Sequence, residues 1–161
     1  MFLTIAFLKD LLYNVKKEIN GVLYMGKKQT RSEARIEAFK LIFQTDVNNE
    51  EIDFLFEHML EENPKSQDNI DYIKTAVLGV LDKKSEIDED IKNNLTKGWK
   101  IERITKVSLA VLRLAIFEIK YIEDVPTNVA INEAVEIEKK FDNPDNSAFV
   151  NGVLAGFIKS L

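Results

Sequence analysis

Lys27, Lys28, Arg31 and Arg35 bring four cations into nine residues, and Lys27, Arg31 and Arg35 fall at i, i+4 and i+8, one face of a helix. The same stretch holds Thr30-x-x-Glu33, the pattern in which a hydroxyl and a carboxylate cap the N–H groups at a helix start. Cations at that end oppose the helix dipole and cost stability. A bound phosphate reverses the sign, because unpaired N–H groups and arginines converge on it. The plain alternative is a solvated basic face.

A second cluster, Lys97-Gly98-Trp99-Lys100, surrounds the chain's one tryptophan with cations. Such a cluster can stack on a base. A lone tryptophan in a short link between helices more often anchors a core, and that is the role expected of Trp99. His58 has no second histidine nearby and lies off the apolar stripe of its segment, which predicts a surface residue. The run Glu86, Asp88, Glu89 and Asp90 reads as a solvated helix face rather than a metal site. Asp142 to Asn146 fails as a calcium loop, since Pro144 takes the third ligand position and no glycine fills the sixth. With no phosphate-cradling glycine loop, no His-Glu-x-x-His and no paired nucleophile and histidine, catalysis is not expected.

Composition narrows the class. The chain has 161 residues, 45% of them apolar, enough for a real core in one domain. It has no cysteine, so no disulfide framework and no thiolate chemistry, and the cytoplasm is the expected compartment. A formal charge of −5 excludes a surface that is basic throughout, so any RNA contact must be a local patch. Three prolines, six glycines and few alternating β-branched runs predict an all-α fold.

The elements that must hold these residues follow from helical spacing. Val107 to Tyr121 is apolar almost all round, which predicts a helix in the centre of a bundle. It is too short to cross a bilayer. Within it Arg113 needs an anionic partner, and Glu133 is the candidate. Pro126 suits the opening of the next helix, whose buried stripe is Ala130, Ala134, Ile137 and Phe141. Val150, Val153, Leu154, Phe157, Ile158 and Leu161 keep the spacing to the final residue, placing Leu161 in the core. Gly152 and Gly156 cost that helix stability, and close helix packing is the expected compensation. Asn132 and Asn151 are poor interior helix formers, which points either to function or to polar links across the bundle.

Upstream, Ala34, Ala38, Leu41, Ile42 and Thr45 form one inner face, and Ile52, Leu55, Phe56, Met59 and Leu60 another, capped by Asn48 or Asn49. Ile70, Ile73, Val77, Val80 and Leu81 follow, and Ile87, Ile91 and Leu95 continue the spacing with a shifted face. Residues 1–24 lack the basic start and cleavage site of a signal peptide. Leu8, Leu11, Leu12, Val15 and Ile19 would line one face of an amphipathic helix there. Met25-Gly26-Lys27-Lys28 reads as a natural beginning, so residues 1–24 are expected to be an extension read through from an early start.

Ala110-Val111-Leu112-Arg113-Leu114-Ala115, Asp124-Val125-Pro126, Val129-Ala130-Ile131-Asn132-Glu133-Ala134 and Phe149-Val150-Asn151-Gly152-Val153-Leu154 occur in that order. With Ala34-Arg35 and the run from Phe39 to Gln44, they resemble the NusB family of bacterial transcription antitermination factors over roughly the whole chain after Met25. The resemblance implies an all-α fold of two packed three-helix bundles, about seven helices, divided at 25–84 and 85–161. It also implies no cofactor, and binding of box A-type RNA of nascent ribosomal transcripts with the ribosomal protein NusE, as part of an RNA polymerase antitermination complex.

By position in the family pattern, Lys27, Lys28, Arg31 and Arg35 match its arginine-rich first helix, and Asp145 its RNA-proximal turn. With Lys100 they are the candidate RNA-binding residues. Phe43, where the family pattern has a tyrosine, Glu102, and Ser108, where it has an acid, are the candidate partner-binding residues. Two alternatives belong to other classes. Domains of this kind also occur fused to RNA cytosine methyltransferases, whose catalytic cysteine and cofactor domain are not in this chain. The other is a non-catalytic interaction scaffold, or a homodimer that hides the basic helix.

Overall fold

The computed structural model describes residues 8, 11–16, 18, 19 and 27–161. Residues 27–161 form seven α-helices: α1 (Arg31–Val47), α2 (Ile52–Glu62), α3 (Ile70–Asp82), α4 (Lys84–Asn93), α5 (Lys106–Tyr121), α6 (Thr127–Phe141) and α7 (Asn146–Ser160). Single 3-10 turns at Pro64–Asn69 and Ile101–Arg103 complete them, and the described residues contain no strand. The fold is all-α, as expected.

Helix α5 is the axis. Every residue from Leu109 to Phe117 is buried, and α5 packs against α1, α3, α4, α6 and α7. A helix with no dry-to-wet asymmetry is stable only when neighbours cover it on all sides. Around it, α1, α2 and α3 make one bundle and α5, α6 and α7 the other, with a continuous core from Ala34 to Phe157. Lys83 breaks the chain between α3 and α4, which rotates the apolar face and lets Ile87 and Ile91 reach full burial.

Capping follows local chemistry. The Thr30 hydroxyl accepts from the Glu33 N–H at 3.1 Å while the Glu33 carboxylate accepts from the Thr30 N–H at 2.6 Å, the reciprocal box expected there. Neither Asn48 nor Asn49 caps α2: Glu51 stands at that position without a side-chain bond, and Asn48 closes α1. Pro126 sits one residue before α6.

Other expectations change. Leu161 is 74% exposed, because α7 ends at Ser160 and the last residue leaves the spiral. Among the described residues a Cβ on Gly152 would meet nothing within 4 Å, so close packing does not explain it. Gly156 does face a neighbour, the Asn94 side chain at 3.1 Å, and Gly79 lies against the Phe117 ring. Asn132 and Asn151 are exposed rather than linking helices across the core.

Leu8, Leu11, Leu12, Val15 and Ile19 are helical and exposed. The Tyr13 hydroxyl donates to Glu61 at 2.6 Å, and Lys16 lies 3.6 Å from Glu62, so polar contacts join this stretch to α2. Residues 1–7 and the expected beginning at Met25 lie outside the described residues. Among the described residues no helix is long and apolar enough to cross a membrane.

Candidate nucleic-acid interface

The cationic start of α1 is held from beneath. Gln29 is buried; its N–H donates to Asp68 at 2.9 Å and its side chain to the Ser66 hydroxyl at 3.1 Å. Asn69 in turn donates to the Gln29 carbonyl at 3.0 Å. The backbone beside Lys27 and Lys28 is therefore tied to the 3-10 turn at 64–69, while both lysines stay exposed. Arg31 is also exposed, and its guanidinium lies 4.2 Å from the centroid of the Tyr72 ring. That stack restrains a long side chain and leaves its N–H groups able to reach an anion.

Arg35 does not join this surface. Its side chain is 5% exposed, and Nε donates to Glu118 at 2.8 Å. Glu133 lies 3.8 Å from the same guanidinium and accepts from the Ser32 hydroxyl at 2.8 Å. The expectation that Arg35 binds phosphate is corrected by this burial: helical spacing put it level with Arg31, but it falls on the edge that turns inward, against α5. Burial pushes the Glu118 carboxyl up, while Arg35 and the Tyr72 hydroxyl, which donates to it at 2.7 Å, pull it back. Tyr72, raised by its own burial and by Glu118, keeps its proton and so remains the donor. Local spacing marks neither Gln29 nor Tyr72 as part of a binding surface. The apolar period shows Tyr72 as an ordinary helical aromatic, and Gln29 precedes the helix.

Arg113 is likewise paired, though not with Glu133. Its Nη1 donates to Asp46, and Nε and Nη2 grip both oxygens of Asp88 at 2.7 and 2.9 Å. Lys84 joins Asp46 at 2.6 Å. Burial alone would raise the Asp46 carboxyl, but Lys84 and Arg113 outweigh it and hold it below the usual carboxylate range. The acidic run of α4 is thus not merely a solvated face: Asp88 serves Arg113, and Glu86 and Asp90 both serve Lys120. Among the described residues no histidine and carboxylate group is arranged to hold a metal. His58 is exposed, its ring 6.2 Å from that of Phe54.

Helices α1 and α6 run side by side in one direction, Ser32 meeting Glu133 and the Phe39 ring lying 5.1 Å from that of Phe141. A cleft of about 420 Å3 opens along this seam, between Ser32, Ile36, Glu133 and Lys140. At its far end is the turn after α6. Asp142 accepts from the Thr105 hydroxyl at 2.5 Å and from the Asn143 N–H at 2.8 Å, and the Asp145 N–H donates to Asn143 at 3.1 Å. Burial would raise the Asp142 carboxyl, but these donors hold it low. Asp145 is presented, exposed, on a turn fixed by its neighbours.

The predicted RNA residues therefore form two groups. Thirteen residues of helix separate Thr105 from Glu118, about 20 Å at 1.5 Å per residue. The Lys27, Lys28 and Arg31 group lies at the Glu118 end, Asp145 and Lys100 at the Thr105 end. Phe43 is half-buried beside Phe39, whose ring meets that of Phe141, and Glu102 is exposed in the turn leading to Thr105, which bonds Asp142. Ser108 is 1% exposed and donates to the buried Glu138. It cannot meet a partner: a hydroxyl is short enough to be sealed between α5 and α6.

Trp99 is not a core anchor. It is 48% exposed, with its ring 6.2 Å from that of Phe149, and Lys97 and Lys100 are exposed on either side.

Comparison with known proteins agrees with this architecture. A family model, that of the NusB family, matches residues 32–159. The chain is 40% identical to the transcription antitermination protein NusB of Clostridium novyi, over 81% of this chain and 98% of that protein. It is similar in structure to the NusB of T. maritima, with a TM-score of 0.71, 31% identity, and 83% and 93% of the two chains covered. It is also similar to a chain of a crystal structure of antitermination factors NusB and NusE in complex with dsRNA. There the TM-score is 0.73 at 29% identity, with 81% of this chain and 97% of that chain covered.

Proposed function

This chain belongs to the NusB family, and from that premise we propose that it is a non-catalytic transcription antitermination factor. It binds box A-type RNA of nascent ribosomal transcripts together with the ribosomal protein NusE, and the pair acts on RNA polymerase in the cytoplasm. The observation that carries this proposal is the likeness along 97% of the chain seen with NusE and dsRNA.

In this function Lys27, Lys28 and Arg31 take RNA phosphates, with Arg31 restrained on Tyr72. Arg35 supports them from inside. Lys100 serves the second end of the surface, where Asp145, being an acid, accepts from base amino groups rather than meeting phosphates. Phe43 and Glu102 offer NusE a surface around the last turn of α6. With a net charge of −5, the chain needs NusE to supply further positive surface.

The test is a titration of box A and scrambled single-stranded RNA with the purified chain, with and without NusE, at several salt concentrations. Tighter binding with NusE, a preference for box A and an affinity that falls as salt rises are expected. A chain that binds no RNA even with NusE, and only associates with itself, would be the scaffold instead.

A further inference from the structure

We infer that the open face of Trp99 is a base-stacking platform for single-stranded RNA, with Lys97 and Lys100 holding the phosphates on either side of the stacked nucleotide. This rests on the RNA-binding function proposed above and adds a contact at the end of the surface away from α1.

The turn that carries Trp99 is built to turn it outward. Gly98 has φ of +85°, a left-handed position that other residues take only with strain, and the Trp99 N–H closes the turn on the Thr96 carbonyl at 2.9 Å. The indole then leans on the Phe149 ring at an interplanar angle of 43°. The ring touches Phe149 and Trp99 is still 48% exposed, so the indole is restrained without being enclosed. Phe149 stands one helical turn after Asp145, at i and i+4, so the platform borders the Asp145 turn.

An exposed tryptophan forgoes a large apolar burial, and a rigid aromatic face in water is what base stacking uses. Charge selects the occupant. The flanking residues are lysines in a chain whose net charge is negative, and a nucleotide offers a π-face with a phosphate on each side.

Trp99 is the chain's one tryptophan, so its intrinsic fluorescence reports this site alone. The full chain is titrated with a box A-bearing single-stranded RNA, while anisotropy of a dye on the RNA follows binding independently. Quenching that tracks the bound fraction is expected. Trp99→Leu should weaken binding roughly 5- to 150-fold, the range that stacking of one base spans, and Trp99→Phe should restore much of it. If the RNA binds by anisotropy while the fluorescence stays unchanged and Trp99→Leu keeps wild-type affinity, the platform is wrong and the RNA-binding function stands. Loss of NusE binding by Trp99→Leu with RNA affinity intact would make this face a protein contact and overturn the inference. No RNA binding by the wild-type chain, even with NusE, would end both. Fluorescence of the unaltered chain and the Trp99→Phe variant keep the outcome decisive should Trp99→Leu fold poorly.

Discussion

Arg35 donates through Nε to Glu118 at 2.8 Å, and the two side chains, 5% and 1% exposed, bind α1 to the central helix α5. The neighbouring cation on the same helix, Arg31, is exposed and stacked on Tyr72. Two arginines four residues apart thus have different tasks, and the difference can be measured. Arg35→Ala strands a buried carboxylate and should cost about 3–5 kcal/mol in chemical denaturation. Arg31→Ala should leave stability near wild type and lower the log–log salt slope of RNA binding by about 0.7, one lost phosphate contact. Equal stability in the two variants would show that the Arg35–Glu118 pair does not hold the fold.

Tyr72 separates two roles within one side chain. Tyr72→Phe keeps the ring under Arg31 and removes the hydroxyl that donates to Glu118. It should lose about 1.5–3 kcal/mol of stability, as expected for a hydrogen bond to a charged group, with the RNA salt slope unchanged. Tyr72→Leu removes the platform as well, and RNA affinity should then fall. Urea denaturation and an RNA titration on both variants check this.

The glycines give an opposed pair. A Cβ on Gly79 would run into the Phe117 ring, so Gly79→Ala should overpack the α3–α5 contact and cost about 1–3 kcal/mol. Gly152 is exposed with open space beside it, so Gly152→Ala should gain about 1 kcal/mol from helix propensity. Melting curves that move both variants the same way would contradict the packing described for α3 and α5.

Two carboxylates, the buried Glu138 and the part-buried Asp46, respond oppositely to pH. Burial, with Asp142 nearby, pushes Glu138 above its ordinary 4.5, and among the described residues one of its oxygens has no geometric hydrogen-bond partner. A raised folded pKa means that the native state holds the proton more tightly, so stability is full below 4.5 and falls as pH rises through the folded pKa. Glu138→Gln should flatten that fall and be at least as stable as wild type at neutral pH. Asp46 has its pKa depressed from 3.8, so its contribution is present above that value and is lost as pH falls through the folded pKa. Asp46→Asn should be less stable at neutral pH, and the deficit should shrink in acid. Denaturation midpoints measured from pH 3 to pH 8 separate the two signs.

What the sequence determined by itself is whatever depends on residues within about one helical turn of each other. Thr30 and Glu33 cap α1 as their spacing requires. Helix α5, apolar almost all round, has only one stable place, the centre of a bundle. The order of motifs from Ala110 to Leu154 indicates the family without reference to tertiary structure. What only tertiary structure decided is which helix supplies the other half of each contact. Spacing puts Arg31 and Arg35 on one face, yet the approach of α5 and α3 leaves the first in water and seals the second against Glu118. Arg113 had to have a counter-charge, and the packing of α1 and α4 against α5 made it Asp46 and Asp88, leaving Glu133 to Ser32 and Arg35. Trp99 turned outward because Gly98 reverses the chain beside Phe149. The physical reason is common to all three: periodicity defines a face, but the partner of a charge or a ring depends on how helices distant in sequence cross, and no local spacing carries that distance.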